Sequence, residues 1–197
     1  MDSSITSVVL VGVGGQGILL AAEILAQAAL IAGHDVKTNE VHGMAQRGGS
    51  VMAQIRFGPK VFSPLVAEGT AGIIGSLERL ETLRYYRYLA PGGLAVVSSQ
   101  IIMPVTVSSG LATYPADIDT RLRRTFPRLV YLDAADIAAS LGSVKAANTV
   151  LLGAISSELS LPKDAWQEAL HKCINAKFLE LNEKAFLAGT KYSSWGD

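Results

Sequence analysis

The sequence predicts an α/β fold: a mostly parallel sheet with helices on both faces and an inserted hairpin. Three observations carry this. A β-branched run from Val8 to Val11 leads through a glycine cluster into a long alanine-rich stretch, the order strand, tight turn, helix. Short apolar runs then alternate with amphipathic stretches to the end of the chain. Of the 197 residues, 49% are hydrophobic and 17% charged, enough apolar material to cover a sheet on both faces. No linker, internal repeat or low-complexity tract divides the chain, so one domain over 1–197, with its core at about 8–188, is expected.

Taken in order, VVLVGVGGQGILLAAEILAQAALIAGHDVKTNEV reads as a strand, the glycine turn, a helix closed by Gly33 and a second strand near Val36 to Val41, a βαβ unit. HGMAQRGGS has loop composition. VMAQIRF alternates as a strand, and the GPK turn with VFSPL reads as the inserted hairpin. TAGIIGS is a buried strand. Apolar residues at Leu77, Leu80, Leu83 and Leu89 make SLERLETLRYYRYL an amphipathic helix that stops at Pro91-Gly92-Gly93. LAVVSS is a further strand, with later runs near TVSSG and LVYLDA, and helices near Asp136–Ser157 and Lys163–Ala188 close the chain. The tail TKYSSWGD reads as a frayed end, or as an arm that docks through Trp195.

Composition excludes several functions. Seventeen Lys and Arg against 17 Asp and Glu give a net charge of +0, without the electrostatic footprint of a nucleic-acid binder, although a local basic patch stays open. The single cysteine, Cys173, cannot form an internal disulfide or by itself hold an iron–sulfur cluster or a structural zinc ion. It fits a reducing, cytoplasmic compartment, and its helical context, ALHKCINAKFLEL, suits a small buried hydrophobe. The opening MDSS lacks a secretory pattern. The most apolar stretch, Ile18 to Ala32, carries Glu23 and Gln27 and is shorter than the ~20 residues that span a bilayer, so no membrane segment is expected.

Gly12-Val13-Gly14-Gly15-Gln16-Gly17 follows a strand and opens a helix, the context in which backbone N–H groups approach a phosphate. The same glycines also serve a tight turn and close helix–sheet packing, and the residues alone leave both readings open. A dinucleotide site wants an acid about 20 residues further on for the ribose; Glu40 matches loosely and Asp35 comes too early. In the loop from His42 to Ser50, Arg47 beside Gly48, Gly49 and Ser50 offers a cation next to exposed N–H groups, a grip for an anion or a partner chain. Solvated ion pairs are the plainer role for Arg47 and Arg56. His42 is a candidate proton donor or a structural histidine; His34 and His171 read as surface residues. Asp133 and Asp136 follow a late strand and could line a crevice at the sheet's carboxyl edge, Asp136 more simply as a helix cap. Asn148, Thr149 and Gly153 suit close packing. No metal motif, P-loop lysine, nucleophile elbow or other catalytic residue is identified.

Taken together, VGVGGQGI, HGMAQRGGSV, SPL followed by SLERLETLR, the PGG turn and AANTVLLGA resemble the gamma-type subunits of 2-oxoacid:ferredoxin oxidoreductases over about Val8 to Ala188. MAQRGGSV and KFLELNEKAF bring it nearest to the small (beta) subunits of indolepyruvate ferredoxin oxidoreductases. The resemblance implies a Rossmann-like domain in a complex that oxidatively decarboxylates arylpyruvates to acyl-CoA and passes electrons to ferredoxin. It implies a large (alpha) partner subunit that holds thiamine diphosphate and the 4Fe–4S clusters, with this chain inactive alone. It also implies that Gly12, Gly14, Gly15, Gln16 and Gly17, with Arg47, Gly48, Gly49 and Ser50, line the contact with that partner or with coenzyme A. Where the family commonly has an Asp after the alanine of its central strand, this chain has Ala71-Gly72-Ile73. The rival readings are a free-standing NAD(P)-binding oxidoreductase and a nucleotide-sensing module.

Overall fold

The structure, a computed structural model, describes residues 5–42 and 48–192. Its strands are β1 (Thr6–Val13), β2 (Asp35–His42), β3 (Ser50–Gly58), β4 (Ala71–Ser76), β5 (Leu89–Ser98) and β6 (Leu129–Leu132). Its helices are α1 (Ile18–Ile31), α2 (Arg79–Arg84), α3 (Val105–Ser108), α4 (Ile118–Thr125), α5 (Ala134–Ser140), α6 (Ala147–Ser156), α7 (Lys163–Cys173) and α8 (Ala176–Gly189). They form one six-stranded sheet in the order β2-β3-β1-β4-β5-β6. β1, β4, β5 and β6 pair in parallel, whereas β3 runs antiparallel to both β1 and β2.

Alternation along each strand divides the core between the two faces. Val8 and Leu10 of β1, Ile55 of β3 and Val96 of β5 point to the face packed by α1 and α6. Val9 and Val11 meet Met52, Val66 and Ile74 on the other face, where Ala95 and Val97 pack on Ile118 and Leu122 of α4. α6 is buried along Ala147–Ile155. A Cβ on Gly75 would come within 2.5 Å of Ile155 Cδ1, so the missing side chain lets α6 sit directly on β4. The α6–α8 crossing is closer still: a Cβ on Gly153 would lie 2.1 Å from the Phe186 carbonyl oxygen, and one on Gly189 would lie 2.0 Å from that of Val150. This is the close packing expected of Gly153.

Several readings of the sequence change. The hairpin is β2–β3, joined across the loop that starts at His42, and not VMAQIRF–VFSPL. VFSPL is irregular: Pro59 and Pro64 remove ladder donors, and side chains hold the segment instead. Val61 N–H donates to Asp35 Oδ2 (2.8 Å), Arg56 Nη1 to Ser63 O (2.9 Å) and Val66 N–H to Gln54 Oε1 (3.1 Å). Arg56 is therefore a loop anchor rather than a solvated ion pair. The helix after β4 ends at Arg84 and tightens into a 3-10 turn at Tyr86–Tyr88, which brings Tyr85, Tyr88 and Leu89 onto the sheet. Pro91-Gly92-Gly93 lies inside β5, where the register with β4 shifts between Ala71 and Ile73. TVSSG forms α3 and not a strand, with Ser108 N–H closing on Pro104 O at 3.0 Å.

The two closing helices are each divided. Gly142, at φ 119, separates α5 from the 3-10 turn Val144–Ala146 that leads into α6. Asn175 caps α8 through Lys177 N–H (3.1 Å) and separates it from α7. Asp133, not Asp136, caps α5: its Oδ1 accepts from Asp136 N–H at 2.9 Å. α4 had no counterpart in the sequence reading. His34 is half-buried with its ring tilted against Phe57, whereas His171 is exposed beside Glu183. Trp195 lies outside the described residues.

Gly189→Ala is expected to destabilise the protein by roughly 3 kcal/mol, because the methyl group meets backbone that cannot step aside. Urea unfolding measures this; an unchanged midpoint refutes the close crossing.

Candidate functional site

In open α/β sheets ligands bind beyond the carboxyl ends of the strands, where connections part toward opposite faces. Here that point lies between β1 and β4: β1 continues into α1 on one face, and β4 into α2 on the other. The glycine motif occupies it. Because β3 pairs antiparallel with β1, Val13 stands opposite Ser50, and residues 48–50 arrive beside the motif. Gly14 N–H donates to Gly49 O (2.8 Å), and Gly48 N–H to Gly14 O (3.3 Å). Two candidate segments far apart in sequence thus form one wall. Arg47 lies outside the described residues, as does the side chain of His42.

Gln16 locks this arrangement. Its Oε1 accepts from Val13 N–H (2.7 Å), while its Nε2 donates to Leu77 O and to Gln100 Oε1, both at 2.8 Å. One amide therefore ties the carboxyl ends of β1, β4 and β5 together. A Cβ on Gly12 would lie 2.8 Å from that Oε1, so Gly12 makes room for the lock. Gly17 takes the left-handed conformation, φ 81, and a Cβ there would lie 2.7 Å from Asn148 Nδ2. Asn148 Nδ2 donates to Gly17 O (3.2 Å), Thr149 N–H to Asn148 Oδ1 (2.9 Å), and Thr149 Oγ1 to Asn182 Oδ1 (2.7 Å). A buried polar chain thus runs from the glycine turn through α6 to α8.

The parts left facing outward are the exposed Gly15 and the amino end of α1, which has no side-chain cap and no acidic residue in its first turn. They border a cavity of about 400 Å³ lined by Val13, Gly14, Gly15, Gly17, Ile18, Leu19 and Val51. An uncapped helix start over a glycine turn suits an anionic group such as a phosphate. Ser50 turns the other way. Its hydroxyl donates to Glu81 Oε2 and lies 2.9 Å from Tyr85 Oη, and Arg84 Nε donates to Glu81 Oε1 at 3.0 Å.

Several neighbours carry no motif. Glu78, buried at the end of β4, caps α2 by accepting from Glu81 N–H (2.9 Å) and also accepts from Tyr114 O–H (3.1 Å); burial raises its carboxyl above the ordinary value. A Glu two residues after a buried strand was the only available signal. Glu40 stands away from the glycine turn: it pairs with Ala53, which pairs with Leu10, two strand spacings or about 10 Å from β1. Gly72 is the second residue of β4, roughly 13 Å of strand from the carboxyl edge, so the family's usual Asp would sit away from this site. Asp133 binds Ser99 Oγ (3.0 Å) beside its cap. Among the described residues, no group of three or more His, Cys, Asp and Glu side chains is placed to hold a metal ion.

Two outcomes test this geometry. Gln16→Glu replaces a donor facing two acceptors with another acceptor and is expected to cost roughly 2–3 kcal/mol in urea unfolding; wild-type stability would remove the lock. Burial first, and Glu23 second, push the Cys173 thiol up to about 11. Iodoacetamide at pH 8 is therefore expected to label the native protein at least tenfold more slowly than the unfolded chain.

Residues 7–192 match the model of the pyruvate ferredoxin/flavodoxin oxidoreductase family. The chain is 43% identical over 190 residues to the indolepyruvate oxidoreductase subunit IorB of Pyrococcus horikoshii, covering 94% of each chain, and 42% identical, with the same coverage, to that of Thermococcus kodakarensis. The gamma subunit of a keto/oxoacid ferredoxin oxidoreductase from Geobacter sulfurreducens shares the fold at TM-score 0.68 and 24% identity, over 94% of this chain and 96% of that one. A 2-oxoglutarate:ferredoxin oxidoreductase chain from Magnetococcus marinus superposes at TM-score 0.70 and 19% identity, over 95% of this chain but 30% of its own length. No helix among the described residues is long and apolar enough to cross a membrane. With the family model spanning nearly the whole chain on the fold of its gamma subunits, this protein belongs to the pyruvate ferredoxin/flavodoxin oxidoreductase family.

Proposed function

We propose that this chain is the small subunit of a cytoplasmic 2-oxoacid:ferredoxin oxidoreductase that converts indolepyruvate, or another arylpyruvate, with coenzyme A to the acyl-CoA and CO2, and passes the electrons to ferredoxin. The observation that carries this reading is the identity of 41–43%, over 92–94% of their length, with indolepyruvate oxidoreductase subunits from three archaea. Thiamine diphosphate and the 4Fe–4S clusters belong to the large partner subunit. The donor set of this chain does not fit a cluster: it has one cysteine, half-buried on α7, whose thiol holds its proton at neutral pH.

The contribution of this chain is the glycine-lined cavity and the adjoining hairpin loop. Gly15, Gly17 and the amino end of α1 receive a phosphate of coenzyme A where the two subunits meet, with Gly48 and Gly49 beside it; Arg47, outside the described residues, is assigned to the same contact. Gln16, Gly12 and Ser50 hold the wall in place. A free-standing NAD(P) enzyme fits the geometry less well, because β3 takes the position beside β1 from which a ribose acid would reach the cofactor.

Co-expression with the large subunit under anaerobic conditions, followed by an assay for indolepyruvate- and CoA-dependent reduction of a viologen dye, tests the proposal. Activity is expected in the complex and not in the isolated small chain. Arg47→Ala is expected to impair assembly or to raise the CoA requirement; no change in either removes the loop from the site. A chain that binds no large subunit but saturably binds NAD(P) overturns the reading.

A further inference from the structure

Beyond Gln100, the segment between β5 and α4 takes no part in the functions above, yet it is the least expected surface of the molecule. Residues 99–116 carry no Asp, Glu, Lys or Arg, in a chain where 17% of residues are charged. The segment is exposed all the same: Val105 is 75% and Leu111 83% accessible, with Ile101 and Met103 exposed beside them. Surfaces that face only water carry charge, as α7 and α8 do through the exposed pairs Glu168–Lys172 and Glu180–Lys184.

This loop is held in shape. One carboxylate oxygen, Glu78 Oε1, accepts from both of its ends, from Tyr114 O–H at 3.1 Å and, more weakly, from Ile102 N–H at 3.5 Å. The Arg79 guanidinium lies 5.6 Å from the Tyr114 ring centre and pairs with Asp119 at 3.0 Å. Within the loop, α3 forms its turn and Ala112 N–H donates to Thr106 O (2.9 Å). Ends drawn together and internal hydrogen bonds define a compact Ω-loop. Its apolar side chains are presented outward by a fixed backbone.

We propose that the Ω-loop 102–114 is the surface on which the large, cofactor-bearing subunit seats, through a facing patch that is itself apolar and uncharged. This rests on the small-subunit reading. Charge matching selects the chemistry of the partner patch: a charged group pressed against this loop would lose its water and find no counter-ion. Position selects the partner. Ile102 and Thr106 share a cleft of about 300 Å³ with Gly48, Ser50 and Arg84, so the loop is continuous with the hairpin wall of the candidate site. In the long Magnetococcus marinus chain the same fold makes up under a third of the length, so there it is one part of a larger chain.

The test uses the co-expressed complex, with Val105→Asp/Leu111→Asp and, as control, Leu187→Asp at an exposed position on α8. The double variant is expected to lose complex at least tenfold by size exclusion while its own melting temperature stays at the wild-type value. Leu187→Asp is expected to assemble normally, and amide exchange over 104–112 to slow in the wild-type complex. Wild-type assembly by the double variant, or unslowed exchange in a formed complex, overturns the proposal and leaves the small-subunit reading standing. So does a homodimer of the isolated chain that the double variant dissolves. A wild-type chain that seats on no large subunit overturns both.

Discussion

The carboxyl edge of this protein depends on the antiparallel seating of β3 between β1 and β2. In a simple doubly wound sheet, the strand after the first helix lies beside the first strand and brings its terminal acid to the glycine turn. Here β2 is displaced outward by one position, and the place beside β1 is taken by the start of β3. Pairing of Val13 with Ser50 then lays Gly48 and Gly49 against Gly14, so the site acquires a second wall made of backbone. A dinucleotide pocket loses its ribose anchor by the same step that gives the glycine-lined cavity its side.

A wall of this kind needs bracing, because glycine turns have little stiffness of their own. Gln16 supplies it within the edge, joining three strand ends through one amide. Asn148 supplies it from below, joining Gly17 to the buried helix α6 and, through Thr149 and Asn182, to α8. That chain runs beside the Gly153–Gly189 crossing, where the two helices approach backbone to backbone. The glycine turn is thus linked to the closest helix crossing among the described residues through buried polar groups that are hydrogen-bonded to one another.

The family, the α/β class and most strand positions were legible because they depend on local signals. Apolar runs, the glycine cluster and the proline and glycine breaks are read residue by residue, and the order of the motifs sufficed to mark the family resemblance. Where non-local pairing decides, the reading changed. VFSPL alternates like a strand but carries Pro64, follows Pro59 closely, and is held by Asp35, Gln54 and Arg56. Gln16, read as a ligand contact, is a brace because its partners Leu77 and Gln100 are brought to it only by the parallel sheet. Glu78 and Tyr114 belong to no motif, and only their 3.1 Å contact marks them as the clasp of a loop.

By itself the sequence determined the α/β class, the glycine turn, the charge balance and the lack of cysteine ligands for a cluster, all properties of residue type and short-range order. Tertiary structure alone decided that β3 lies beside β1, that residues 48–50 face the glycine turn, and that an uncharged loop is clasped at the same edge. The physical reason is range. Propensity and periodicity act over a few residues, whereas strand order and the partners of a buried amide or carboxylate are chosen among segments distant in the chain, by which arrangement buries the apolar faces and satisfies the polar groups together.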